Sequence, residues 1–220
     1  MALAAVPVAL SSQGTAKANA ATSYADSPSR WDIFLGYSYL APHDTVSVDQ
    51  PDGTTGTFAY KSADQGAITS VAYYFNKYAG VQAELAAHDL WVDSGSSNDG
   101  FLTTTGGLIF RLPAGSMTPF AHGLVGGARV GGPDHERYKE GIDLTAGGGL
   151  DYETPWRHIA IRLFQVDYEY MHADWGPSQF PDPGFGGRAN INAVRLSAGI
   201  VIHAGAIAPP PQLTVACAVN

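Results

Sequence analysis

Histidines set beside carboxylates are the residues of this chain best suited to chemistry. They occur as His43-Asp44, Asp134-His135-Glu136 and His172-Ala173-Asp174, with Ser178 shortly after the last. A histidine held by a carboxylate can act as a general base, and the same groups can ligate a divalent cation. Two features count against both uses. Adjacent residues on an extended strand point to opposite faces, so such pairs do not converge. Neither Gly-x-Ser-x-Gly nor His-x-Ser occurs. No catalytic residue, metal or cofactor is therefore expected, and His88 and His122 read as interior or interface residues. Cys217 is the single cysteine, which excludes an intrachain disulfide and a cysteine-based zinc cluster.

Another set, Glu84, Arg111, Arg129, Asp151, Arg162, Asp167 and Arg195, is spread over segments that alternate apolar and polar residues. What these charges can do depends on the elements that hold them. The 220 residues suffice for one sizeable domain. Only 15% are charged, and the 26 glycines are well above the usual share of about 7%. The net charge of −8, with no basic run, argues against nucleic acid. No apolar run reaches the roughly 18–20 residues of a membrane-spanning helix, so a membrane could be crossed only by a closed barrel.

From Trp31 onward, eight segments repeat at period two, over 31–43, 66–76, 79–92, 101–112, 118–130, 141–154, 159–173 and 190–204. Short connections at 76–78, 113–117 and 155–158 alternate with longer ones at 44–65, 93–100, 131–140 and 174–189. Short turns on one side and long loops on the other are the asymmetry of a membrane barrel. The fold expected is all-β, an eight-stranded antiparallel up-and-down transmembrane β-barrel.

Parity separates two faces. Trp31, Ile33, Leu35, Tyr37 and Tyr39 oppose Asp32, Phe34, Gly36 and Ser38. Val81, Ala83 and Leu85 oppose Gln82, Glu84 and His88; Ile142, Leu144, Ala146, Leu150 and Tyr152 oppose Asp143, Thr145, Gly147, Gly149, Asp151 and Glu153; and Leu196, Ile200 and Ile202 oppose Arg195, Ser197 and Gly199. Charged or tiny residues on the inside would invert the pattern of a soluble lipocalin-like barrel, which is the alternative for eight strands. Segment seven breaks parity, and an extra residue near Leu163-Phe164 would restore it as a β-bulge. The interior of such a barrel has room only for its own side chains. The seven charges named above are then expected to meet as an ion-pair network that plugs the lumen, with a gate that passes ions when a pair rearranges as the alternative.

The four tryptophans divide two per rim. Trp31 and Trp156 fall at the short-turn ends with Phe75, Tyr78, Phe110 and Phe120, while Trp91 and Trp175 fall at the long-loop ends with Phe101. Aromatic girdles at the two headgroup levels are expected from this division.

The strings Trp31-Asp-Ile-Phe-Leu-Gly-Tyr-Ser-Tyr39, Thr118-Pro-Phe-Ala-His-Gly-Leu-Val-Gly-Gly-Ala-Arg129, Gly147-Gly-Gly-Leu-Asp-Tyr152 and Ile161-Arg-Leu-Phe-Gln-Val-Asp-Tyr168 make the chain resemble the OmpA-type outer-membrane barrel family over about residues 31–205. The last strand departs from it, ending Ile202-His203-Ala204 where such barrels commonly carry an aromatic residue. The resemblance implies a structural barrel in the outer membrane of a Gram-negative-type bacterium, in contact with outer-membrane lipid and lipopolysaccharide, with surface loops free to meet further partners. Any link to peptidoglycan is expected only through a domain beyond Asn220. A signal-peptide-like segment is expected at 1–20, a leader at 21–30 and a Pro-rich linker or tail at 206–220. Some small barrels of this membrane act on lipid A or peptides from their outer rim, so a rim hydrolase using His43, His135 and His172 is the alternative function.

Overall fold

The computed structural model describes residues 28–49, 52–89, 100–131, 138–156, 158–176 and 186–207. The segment 1–20, Trp91, the Asp134-His135-Glu136 string, Ser178, Cys217 and most of the tail lie outside these residues. Ten strands follow in chain order among the described residues: β1 (Trp31–Pro42), β2 (Thr45–Asp49), β3 (Thr55–Ala59), β4 (Ala63–Tyr74), β5 (Ala79–His88), β6 (Phe101–Arg111), β7 (Met117–Val130), β8 (Lys139–Glu153), β9 (Ile159–Gly176) and β10 (Gly186–Ala204). Eight of them form the wall in the order β1-β4-β5-β6-β7-β8-β9-β10. Antiparallel pairing of β1 with β10, from Trp31↔Ala204 to Pro42↔Ala193, closes it. Closure leaves no open edge around the wall, the condition for backbone groups to survive in lipid.

Short connections fall where the sequence places them, at 75–78, 112–116 and 154–158. The stretch 44–65, expected as a loop, instead carries the β2–β3 hairpin, in which Thr45↔Ala59 through Asp49↔Thr55 are paired. Its turn is built locally: Gly53 has φ 82°, and Asp52 Oδ1 accepts from the Thr54 amide at 2.9 Å. Glycine supplies the left-handed conformation and the aspartate stands in for a missing backbone acceptor. The hairpin hangs on β10 through Gly186↔Asp49, Gly187↔Val48 and Arg188↔Ser47. With β9 and β10 at 18 and 19 residues, far above the nine to eleven of a tilted bilayer crossing, the wall rises beyond the membrane on the long-loop side.

The parities read from β1, β5, β8 and β10 hold, with buried residues alternating with exposed ones. In β9 the register against β8 passes from Leu150↔Phe164 to Asp151↔Arg162, so Leu163 has no partner of its own. Leu163 and Phe164 are both exposed, at 45% and 50%, while Arg162 and Gln165 are buried. The bulge thus restores the alternation on either side of it.

Outside, Leu35, Val81, Leu85, Leu108, Val125, Ile142, Leu144, Val166, Leu196 and Ile200 are exposed. Such a continuous apolar belt far exceeds what a water-facing surface tolerates, and it is the surface that lipid requires.

Candidate functional site

The inward faces of β5, β7, β9 and β10 meet at mid-barrel around Arg195. Its guanidinium pairs with Glu84, with Asp167 at 2.7 Å and with Glu169 at 2.5 Å, all of them buried. His122 Nε2 lies 2.9 Å from Asp167 Oδ1, and its Nδ1 lies 3.3 Å from Gln82 Oε1. Gln165 donates to Asp167 Oδ2 at 2.7 Å, and Gln82 donates to Glu84 at 3.0 Å. Asp143, also buried, accepts from Thr145 at 3.3 Å. Four carboxyl groups therefore crowd one guanidinium, and the Glu169 oxygens receive no hydrogen bond beyond their charge contact.

Below this cluster, toward the short turns, Arg162 makes a two-pronged pair with Asp151 at 2.8 and 3.0 Å and donates to Gln165 at 2.6 Å. Its planar head lies between the rings of Phe120 and Phe34, 4.0 and 4.2 Å from their centroids. Stacking of this kind is open to a guanidinium and closed to a lysine ammonium. Lower still, Arg111 pairs with Asp32 at 2.7 Å, lies 3.5 Å from the Tyr74 ring centroid and donates to the Ser29 carbonyl. His203 links Asp32, at 2.6 Å, to Glu153, at 3.1 Å. Ser29 donates to Asp32 and accepts from Arg111 at 2.9 Å. The strand ends close over this mouth. Ile207 packs against Ala72, Tyr74, Ile109 and Phe120, and its amide donates to the Pro28 carbonyl at 3.0 Å.

Of the seven residues expected in the lumen, the structure brings Glu84, Asp167 and Arg195 together, stacks the Asp151–Arg162 pair beneath them, and sets Arg111 apart with Asp32. Arg129 is a correction. It is exposed on the outward face of β7, over the Tyr138 ring at 4.9 Å, because the inward parity of that strand runs through Thr118, Phe120, His122, Ala128 and Val130. Asp32, Gln82, His122, Asp143, Glu153, Gln165, Glu169 and His203 join the remaining lumen charges in the interior. Inward parity alone marks Asp32, Asp143 and Glu153.

The aromatic rims need three further corrections. Trp31 and Trp156 are exposed at the short-turn rim with Phe75, Tyr78 and Phe110, but Phe120 points inward under Arg162. At the other end, Phe101 is fully buried against Tyr60, with centroids 5.4 Å apart. Trp175 shares the inward parity of Met171 and Ala173 and packs on the same cluster. That cluster, Leu40, Tyr60, Phe101, Val130, Met171 and Ile191 among others, is an apolar core inside the upper barrel.

At the outer rim His43 is exposed and Asp44 accepts from the Asn192 amide at 2.8 Å. Among the described residues, His172 directs its ring nitrogen to Asn190 at 2.7 Å, and the Asp174 carboxylate takes Arg188 at 2.8 Å.

No family model matches the sequence, and no curated protein matches it either. Among solved structures the chain is similar to the outer membrane protein OprG from Pseudomonas aeruginosa, with a TM-score of 0.52 at 18% identity over 81% of this chain and 98% of that one. Neisserial surface protein A gives a TM-score of 0.49 at 12% identity over 80% and 98%. The likeness to OprG is one of fold. Together with the exposed apolar belt and the charged interior, it makes this chain an eight-stranded antiparallel β-barrel of the outer-membrane kind.

Proposed function

We propose that this barrel is a structural, non-enzymatic scaffold of the outer membrane, OmpA-like in type, that makes its contacts through its loops and outer wall. The reading is carried by the filled lumen. The Arg195 cluster occupies the middle, the apolar core with Tyr60 and Trp175 lies toward the outer end, and Arg111, Tyr74 and Ile207 lie toward the short-turn end. A pore needs a continuous wet path, and side chains hydrogen-bonded to one another across the axis work against one. Lipid and lipopolysaccharide are the contacts of the wall, and surface partners belong to the loops.

Planar-bilayer recording of the refolded protein tests this, alongside Glu84→Gln and Arg162→Gln. The scaffold reading expects no stable open level in any of the three. A stable open level in the wild-type protein would overturn it. Heat-modifiable migration in detergent gels reports separately whether each barrel has formed.

A further inference from the structure

The outer wall changes character on β7 to β10. Going up β10, the outward residues pass from Ile200, Leu196 and Val194 to Asn192, Asn190 and Arg188; on β9 they pass from Val166 and Tyr168 to His172 and Asp174. On β8 Glu140 follows Leu144 and Ile142, and on β7 Arg129 follows Val125. The pairings Arg129↔Glu140 and Arg188↔Asp174 set these charges in one cross-strand row, since Glu140 lies one step beyond the Gly141↔Ala173 pair. Two arginines thus flank two carboxylates, roughly 14 Å apart along the wall at three strand spacings.

Both arginines are oriented, and among the described residues each keeps N–H groups without a hydrogen-bond partner. Asp174 engages only Nε of Arg188, whose side chain is 75% exposed, so the terminal nitrogens face outward. Arg129 is held by its face over Tyr138, which leaves its N–H edges open. Beneath the row runs a fixed polar ladder. Tyr170 donates to Asn190 at 2.9 Å and His172 contacts the same oxygen at 2.7 Å; Tyr168 donates to Asn192 at 2.5 Å. All of this stands at the upper edge of the apolar belt, where lipid headgroups lie.

We infer that this quadrant is a binding surface for a phosphorylated glycolipid of the outer leaflet. The guanidiniums of Arg129 and Arg188 take phosphates at the two ends of its sugar unit, and the Tyr168-Tyr170-His172-Asn190 ladder meets the hydroxyls. Free guanidinium edges match phosphate geometry, and exposed, pre-oriented amides and phenols suit sugars. The inference rests on the outer-membrane reading above and deepens it to named residues.

The test uses the full chain folded in detergent micelles, titrated with a bisphosphorylated diglucosamine lipid, its dephosphorylated form, and phosphatidylglycerol, with bound lipid read by native mass spectrometry. The bisphosphorylated glycolipid should bind at least about tenfold more tightly than the other two, and the Arg129→Gln/Arg188→Gln variant should lose about tenfold or more, the scale of charge-assisted contacts. Arg30→Gln, at the opposite rim, should bind as the wild type does. Equal binding of all three lipids, full retention by the double variant, or an equal loss in Arg30→Gln would overturn the site. Heat-modifiable migration of each variant distinguishes loss of the barrel from loss of the phosphate contact.

Discussion

Replacing Arg195 by methionine tests what holds the lumen together. Arg195 is fully buried and serves Glu84, Asp167 and Glu169 at once. Methionine keeps an unbranched, flexible stem and removes the charge, leaving these three carboxyl groups, with Asp143 beside them, buried without their cation. Removing one partner of a buried charge set costs about 3–5 kcal/mol, chiefly through the charge left uncompensated. The triple variant Arg195→Met/Asp167→Asn/Glu169→Gln removes two of the stranded carboxyls at nearly constant shape. It should recover at least about 2 kcal/mol of the loss, since neutral groups cost far less to bury than unpaired ions. Urea unfolding of the protein folded in lipid vesicles, followed by tryptophan fluorescence and by gel migration, gives both differences. A single variant within about 1 kcal/mol of wild type, or a triple variant no more stable than the single one, would refute the argument that uncompensated charge dominates.

Deleting Leu163 should be tolerated, with migration on heating preserved and a cost of no more than about 1–2 kcal/mol, because it converts the bulge to a regular strand without changing any inward residue. Deleting Val166 uses up the same spare residue but turns Phe164 inward and Gln165 outward, so it should cost clearly more than deleting Leu163, since Gln165 loses its bonds to Arg162 and Asp167. Gly147→Ala should destabilise by about 1–3 kcal/mol, because its Cβ would stand 2.1 Å from Asp167 Oδ1 and 2.4 Å from the Val166 carbonyl. Gly123→Ala, which meets nothing within 4 Å, should be neutral or stabilising by up to about 1 kcal/mol in the same unfolding assay. In single-tryptophan variants, brominated acyl chains should quench Trp31 and Trp156 strongly and Trp175 weakly. Equal quenching of Trp175 would contradict its packing on the upper core.

Much of the wall was legible because a strand has only two faces. Alternation alone oriented β1, β5, β8 and β10, and the broken parity of segment seven located the bulge at Leu163-Phe164. The errors came where residue type was read without parity. Arg129 looks like a lumen charge until Thr118, Phe120 and His122 are seen to share the inward face, which turns Arg129 outward. Phe101, Phe120 and Trp175 look like rim aromatics, yet each falls on an inward position. The β2–β3 hairpin escaped notice because its five-residue strands are too short for their alternation, Val46 and Val48 in β2, to stand out from a loop, and the pairing of β2 with β10 shows what they do. The joining of His203 to Asp32 and Glu153 was beyond reach, since nothing local couples residues 171 and 50 positions apart.

The inward apolar core at the outer end marks where the membrane stops. On β9 the inward residues run Asp167, Glu169, then Met171 and Ala173, while the outward ones run Val166, Tyr168, then His172 and Asp174. On β10 the inward side changes from Ser197 and Arg195 to Ala193 and Ile191, as the outward side changes from Leu196 and Val194 to Asn192 and Asn190. Both faces therefore exchange polarity within the same few residues. Below that level lipid surrounds the wall, so apolar groups face out and the charges satisfy one another inside. Above it water surrounds the wall, and the same strands revert to the ordinary arrangement, with an apolar core inside and polar groups outside. This is why, among the described residues, the interior of the upper end is packed by apolar side chains and not by ion pairs. It also fixes the level of the Arg129 and Arg188 row: the two guanidiniums lie just above the exchange, at the height of headgroup phosphates and clear of the acyl chains.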